Sequence, residues 1–86
     1  MRSQHIWTEK DGEGRKREVR ATKFGGQWRL QAQTAPDETW TYYEEPLMED
    51  LLTLKDILER KYRRRRASYE DVTSLEEMIR QRTADE

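Results

Sequence analysis

Between positions 60 and 66 the chain carries Arg60, Lys61, Arg63, Arg64, Arg65 and Arg66, broken only by Tyr62. A guanidinium presents a planar fork of donors that matches a phosphate or carboxylate two bonds at a time, and a tract made almost only of arginine suits oxyanion contacts. One reading is therefore a patch that binds nucleic-acid phosphate or another anionic surface. The competing reading is a solvated helix end. Cations there complement the helix dipole, and Asp56–Arg60 and Glu59–Arg63 have the i,i+4 spacing and orientation of helical ion pairs. A helix end is served by one or two cations, so the tract exceeds what that role requires. On a helical wheel Arg65 also falls on the azimuth of the apolar stripe.

Other chemistry has little to work with. There is one histidine, His5, and no cysteine; the serines are Ser3, Ser68 and Ser74. No nucleophile stands at a suggestive spacing from His5. The carboxylates cluster at helix starts and show no metal-ligand spacing. Gly12, Gly14, Gly25 and Gly26 lie in turns between strands and do not form a phosphate-cradling loop ahead of a helix. The expectation is a protein that is not an enzyme, with no catalytic residues, no cofactor and no metal.

The arginine tract must be positioned by the element before it. Leu47, Leu51, Leu54, Leu58 and Tyr62 fall within an arc of roughly 80° on a helical wheel, with Met48 at its edge. This predicts an amphipathic helix over 46–65, opened by Pro46 at its first position. Leu52 and Ile57 lie off that arc on opposite sides. A second, shorter helix is predicted over 69–82. Ser68 with Asp71 resembles a capping box, and Val72, Leu75 and Ile79 share a narrow stripe that leaves out Tyr69 and Met78.

Upstream, four strands are predicted at 4–10, 16–24, 27–33 and 39–44, separated by DGEG, Gly25-Gly26 and TAPDE. A two-residue Gly-Gly turn pairs Phe24 with Gln27, Lys23 with Trp28, Ala21 with Leu30 and Val19 with Ala32. That register separates Val19, Ala21, Trp28, Leu30 and Ala32 from a polar set containing Arg20, Arg29 and Gln31. A one-residue slip would mix the two sets. Carried onward through a five-residue loop at 34–38, the register sets Trp40 beside Ala32 and Tyr42 beside Leu30. Thr41 and Tyr43 then join the polar face. Carried backward through an even-length turn, it sets Ile6 beside Val19 and puts His5 and Trp7 on the polar face near Arg20; an odd-length turn would bury Trp7. The fold class is α+β, a four-stranded antiparallel meander with its apolar face covered by the 46–65 helix, then a second short helix.

Only 33% of the 86 residues are hydrophobic and 41% are charged, with a net charge of −1. One domain spanning 1–86 is expected, with 83–86 a frayed tail. The balanced charge weakens any attraction of the whole molecule to nucleic acid. The N-terminus lacks an apolar signal core and no run reaches membrane-spanning length, so a soluble, cytoplasmic protein without a membrane partner is expected.

Three surfaces emerge. Leu52, Ile57, Tyr69 and Met78 are candidates for a protein interface, most simply a homodimer. Arg60, Lys61 and Arg63 to Arg66 are candidates for an anion or nucleic-acid patch. Trp7, Arg20, Arg29, Gln31 and Tyr43 mix rings, cations and amides as a second nucleic-acid surface. The function expected is a small non-catalytic module acting through protein contacts, with nucleic-acid binding as the alternative.

Overall fold

Four strands run antiparallel in sheet order β1-β2-β3-β4: β1 (Ser3–Lys10), β2 (Lys16–Phe24), β3 (Gln27–Thr34) and β4 (Thr41–Tyr43). Two helices follow, α1 (Met48–Arg63) and α2 (Tyr69–Ala84), which makes the fold α+β. The computed structural model describes residues 3–24 and 26–84. The chain divides at the Glu45–Pro46 junction into two compact units, the sheet and the helical pair.

In the sheet, the central hairpin has the register expected of it. Phe24 pairs with Gln27, Lys23 with Trp28, Ala21 with Leu30 and Val19 with Ala32. Val19, Ala21, Trp28, Leu30 and Ala32 are all buried. Gly26 supplies the positive φ of the turn at +80°, a conformation that glycine enters without a Cβ penalty, while Gly25 lies outside the described residues.

Both outer strands are shifted by one residue from the expected register. In β1, Trp7 pairs with Val19 and His5 with Ala21, which puts Ile6 beside Arg20. His5 and Trp7 therefore stand on the apolar face and Ile6 on the wet one. The His5 ring is buried and tilts against Trp28, with centroids 5.8 Å apart.

The cause is the first loop. The Gly14 N–H donates to the Asp11 carbonyl (3.0 Å) and the Asp11 N–H to the Arg15 carbonyl (2.9 Å), closing a three-residue loop, Gly12 to Gly14, with Gly14 at φ +80°. This is a type I turn followed by a left-handed glycine, a common odd-length hairpin connection. The Asp11 carboxylate fastens it, accepting from the Glu13 and Arg15 backbone N–H groups and from the Arg15 Nε, each at 2.9 Å.

At the other edge, Leu30 pairs with Tyr43, Gln31 with Tyr42 and Ala32 with Thr41. The Asp37 N–H donates to the Thr34 carbonyl, and residues 38–40 run on outside the ladder before pairing resumes at Thr41. The connection is one residue longer than expected, so Thr41 and Tyr43 exchange faces with Tyr42.

The helices form an antiparallel hairpin. The Arg82 guanidinium donates to the Pro46 carbonyl at one end, and Tyr62 meets Tyr69 at the other, centroids 6.1 Å apart. Leu51, Leu54, Leu58 and Leu75 are fully buried, with Val72 beside them in the core. The apolar stripe of α1 is thus buried at its middle and exposed at its ends, Leu47 and Tyr62. α1 spans 48–63 and not 46–65. Leu47, extended at φ −65° and ψ 138°, is its N-cap and Pro46 precedes the cap, so the proline is not its first residue. Ser68 caps α2 as its spacing indicated, the Ser68 Oγ accepting from the Asp71 N–H at 3.1 Å. Of the expected tail at 83–86, Thr83 and Ala84 close the last turn of α2, and 85–86 lie outside the described residues.

The Arg15 backbone N–H, with the Glu13 N–H and the Arg15 guanidinium, holds the Asp11 carboxyl below the usual aspartate range. A carboxylate depressed by folding adds stability that is complete above its unfolded pKa and is lost as pH falls through its folded one. Wild type is therefore expected to melt above Asp11→Asn at neutral pH, with the gap closing below the ordinary aspartate pKa. Paired thermal scans across acid pH check this; a gap unchanged into strong acid would contradict it.

Candidate functional site

The end of α1 decides where the arginine tract points. Arg64 is the C-cap. The Arg65 N–H donates to the Tyr62 carbonyl (2.9 Å), the Arg66 N–H to the Lys61 carbonyl (2.6 Å), and Arg65 has a φ of +60°. These two bonds and the left-handed residue between them make a Schellman motif, with arginine where glycine is usual. Because α1 stops at Arg63, Arg65 does not lie on the helix at all. The conflict between its charge and the apolar azimuth disappears.

Tyr62 and Arg63 to Arg66 are exposed, and a shallow cleft of about 430 Å³ is lined by Tyr62, Arg63, Arg65 and Ala67. The Tyr62–Tyr69 ring pair lies at the same end of the hairpin. Arg60 pairs with Asp56 at 2.8 Å, as its spacing indicated. Glu59 turns instead to Lys55, at 3.9 Å. Among the described residues, none of Arg63, Arg64, Arg65 and Arg66 forms an ion pair. Their charge is not used within the helical hairpin.

The second candidate surface is rearranged by the register shifts. Arg20, Arg29 and Gln31 stand on the wet face as expected. Trp7 and Tyr43 do not: both stand on the opposite face, half-buried. There Tyr43 meets Arg17, which donates to its hydroxyl (3.3 Å) and to Glu9 (2.7 Å).

Sequence reasoning missed the rings that take their place. One cross-strand row of the wet face reads Ile6, Arg20, Gln31, Tyr42. Tyr42 is 76% exposed and Ile6 52%. The Arg20 guanidinium lies 4.4 Å from the centroid of the Trp40 ring, a cation–π contact. Its Nε is 3.6 Å from a Glu18 carboxylate oxygen, and the side chain stays 37% exposed. The DGEGR loop, whose Asp and second Gly mark an odd-length turn, is the signal that could have placed Ile6 on this face; Trp40 and Tyr42 follow from the longer connection after Thr34, which carries no comparable signal.

No family model, curated protein or solved structure matches this chain.

The four interface candidates are not gathered. Leu52 and Tyr69 are exposed, whereas Ile57 and Met78 are half-buried. Leu52 lies ten residues before Tyr62 on α1, about 15 Å along the axis from the end where Tyr69 sits. Elsewhere, His5 is packed in a strand, and Ser68 and Ser74 are bonded to backbone within α2. Among the described residues, no group of three or more His, Asp and Glu converges to hold a metal ion. No described helix is long and apolar enough to cross a membrane.

A non-glycine residue at positive φ costs about 1 kcal/mol. Arg65→Gly is therefore expected to stabilise the protein by roughly 0.5–1 kcal/mol, partly offset by the greater freedom of glycine in the unfolded chain. Urea unfolding of the two proteins measures it. A destabilised variant would mean that the Arg65 side chain makes interactions worth more than the strain.

Proposed function

We propose that this chain is a non-catalytic nucleic-acid-binding module that engages phosphate through the turn between α1 and α2. The observation that carries the reading is the exposure of Arg63 to Arg66 without a carboxylate partner. Lys55, Arg60 and Arg80 of the same unit each have one. Four guanidinium groups that fold against nothing repel one another, and a polyanion relieves that repulsion by replacing mobile counterions with fixed phosphates. The Schellman bonds hold the backbone of Arg65 and Arg66 in place, so less ordering entropy is lost on binding than for a frayed basic tail. The exposed Tyr62 and Tyr69 beside the tract add ring surface for a sugar or base.

Affinity for labelled DNA, duplex and single-stranded, is measured against salt. Replacing Arg63 to Arg66 with Gln is expected to flatten the log K against log salt slope by up to about 3, at roughly 0.7–0.9 for each phosphate that is no longer neutralised. An unchanged slope, or no binding by wild type at low salt, removes the proposal.

A second reading, self-association through α1, rests on Leu52, an apolar side chain 51% exposed in mid-helix. It predicts a sedimentation mass above 10.5 kDa that falls to that of the single chain in Leu52→Glu. A concentration-independent monomer discards it.

A further inference from the structure

The wet face of the sheet is not an ordinary solvated surface. Its paired strands present Lys10, Lys16, Arg20 and Arg29, and among the described residues of those strands Glu18 is the one acid that faces the same way. Glu18 is already committed to Arg20. The strands of this face thus carry four cations to one acid; at one corner Asp37 and Glu38 stand by Lys16 and Gln33, so the basic part of the face is the side of Lys10, Arg20 and Arg29.

The same face carries large exposed apolar groups. Tyr42 stands at one end of the row and Ile6 at the other, about 14 Å apart across four strands. Trp40 lies beside Arg20 between them and Phe24 is exposed near the central turn. Trp40 is half-buried against Arg20, but cross-strand pairing leaves Ile6, Tyr42 and Phe24 exposed. Ile6 is opposite Arg20, Tyr42 is opposite Gln31, and neither partner covers it. Leaving such groups in water contributes nothing to the sheet, and a bare hydrophobic patch would not interleave them with cations and amides.

We propose that this face is a binding site for single-stranded nucleic acid, distinct from the arginine turn. Unpaired bases would stack on the Tyr42 ring and beside the Arg20 guanidinium, which the Trp40 ring and the Glu18 carboxylate hold in place. The Gln31 amide lies in reach of base edges, and Lys10 and Arg29 take phosphates at the margins. A flat sheet offers ring faces only to bases that have left a duplex, which is why the occupant is a single strand. The positive charge of the face complements the phosphodiester backbone. It would oppose any partner that is merely apolar.

The site rests on different residues from those of the arginine turn, and the experiment separates the two. In the background in which Arg63 to Arg66 are Gln, a single-stranded thymidine oligomer is titrated while tryptophan fluorescence and the anisotropy of a labelled strand are followed. Binding is expected to persist, to quench Trp40 more than in Trp40→Phe, and to weaken about tenfold in Tyr42→Ala, with a similar loss in Arg20→Gln. Tyr42 is exposed, so its replacement is expected to leave the circular dichroism and melting temperature unchanged. Tyr42→Ala binding as tightly as its parent overturns the inference. So does equal affinity for an abasic strand or for polyglutamate, since either would mean that the face reads charge alone. Retained single-strand binding with loss of duplex binding in the Gln background supports both sites. An unaffected Gln variant removes the arginine turn and leaves this inference standing.

Discussion

Side chains along a strand alternate between two faces with a period of two, so the number of residues in each connecting loop decides which side chains the sheet buries. The consequence here is large because the edge strands carry apolar residues at both parities. β1 has Ile6 next to Trp7, and the last strand follows Trp40 with Tyr42 and Tyr43. The three-residue loop at Gly12 to Gly14 sends Trp7 inward and Ile6 outward. The turn at Thr34 to Asp37, followed by unpaired residues, sends Tyr43 inward and Tyr42 outward. Asp11 is central to the first of these choices. Its carboxylate accepts three N–H groups of the loop, which adds to the two backbone bonds that close the turn.

The strands and helices were legible because long periodic segments leave few alternatives. The central hairpin was legible to the residue, since only one register separates Val19, Ala21, Trp28, Leu30 and Ala32 from the polar set. The outer registers were not. Adjacent apolar residues in QHIWTEK and TWTYY fit either face, so pattern could not choose between them and loop chemistry did. Reading DGEG as a turn without asking which N–H groups Asp11 would take left its length open. The length of that loop decides the face of Trp7, and the separate connection after Thr34 decides that of Tyr43, whereas Arg20, Arg29 and Gln31 belong to the central hairpin and keep the face expected of them.

The arginine tract shows the same limit at a helix end. Nothing between Arg60 and Arg66 breaks a helix by propensity, since arginine is a good helix former. The chain turns at Arg65 because Ser68 starts another helix whose Val72 and Leu75 have apolar surface to bury in the hairpin core. Hydrophobic burial of about 1.5–3 kcal/mol for each such side chain outweighs the roughly 1 kcal/mol of left-handed strain at one arginine. Glycine at position 65 would have satisfied the turn at lower cost. Arginine there keeps four adjacent cations exposed, which the fold itself does not require.

Net charge is a poor guide to what such a chain attracts. Exposed charges are screened beyond about 10 Å at 0.1 M salt, so a bound phosphate responds to its immediate surroundings and not to the molecular total. Averaging over 86 residues gives −1. The average hides acids spent at helix starts, Glu49 and Asp50 in α1 and Glu70 and Asp71 in α2, where they face backbone N–H groups. It also hides acids paired with Arg15, Arg17 and Arg60. Among the described residues, Arg63 to Arg66 at the turn after α1 and Lys10 and Arg29 on the wet face of the sheet have no such acid partner. Each group stands beside exposed rings. A near-neutral chain can in this way carry cations at two exposed places, and the registers of the outer strands are what set Ile6 and Tyr42 beside the second of them.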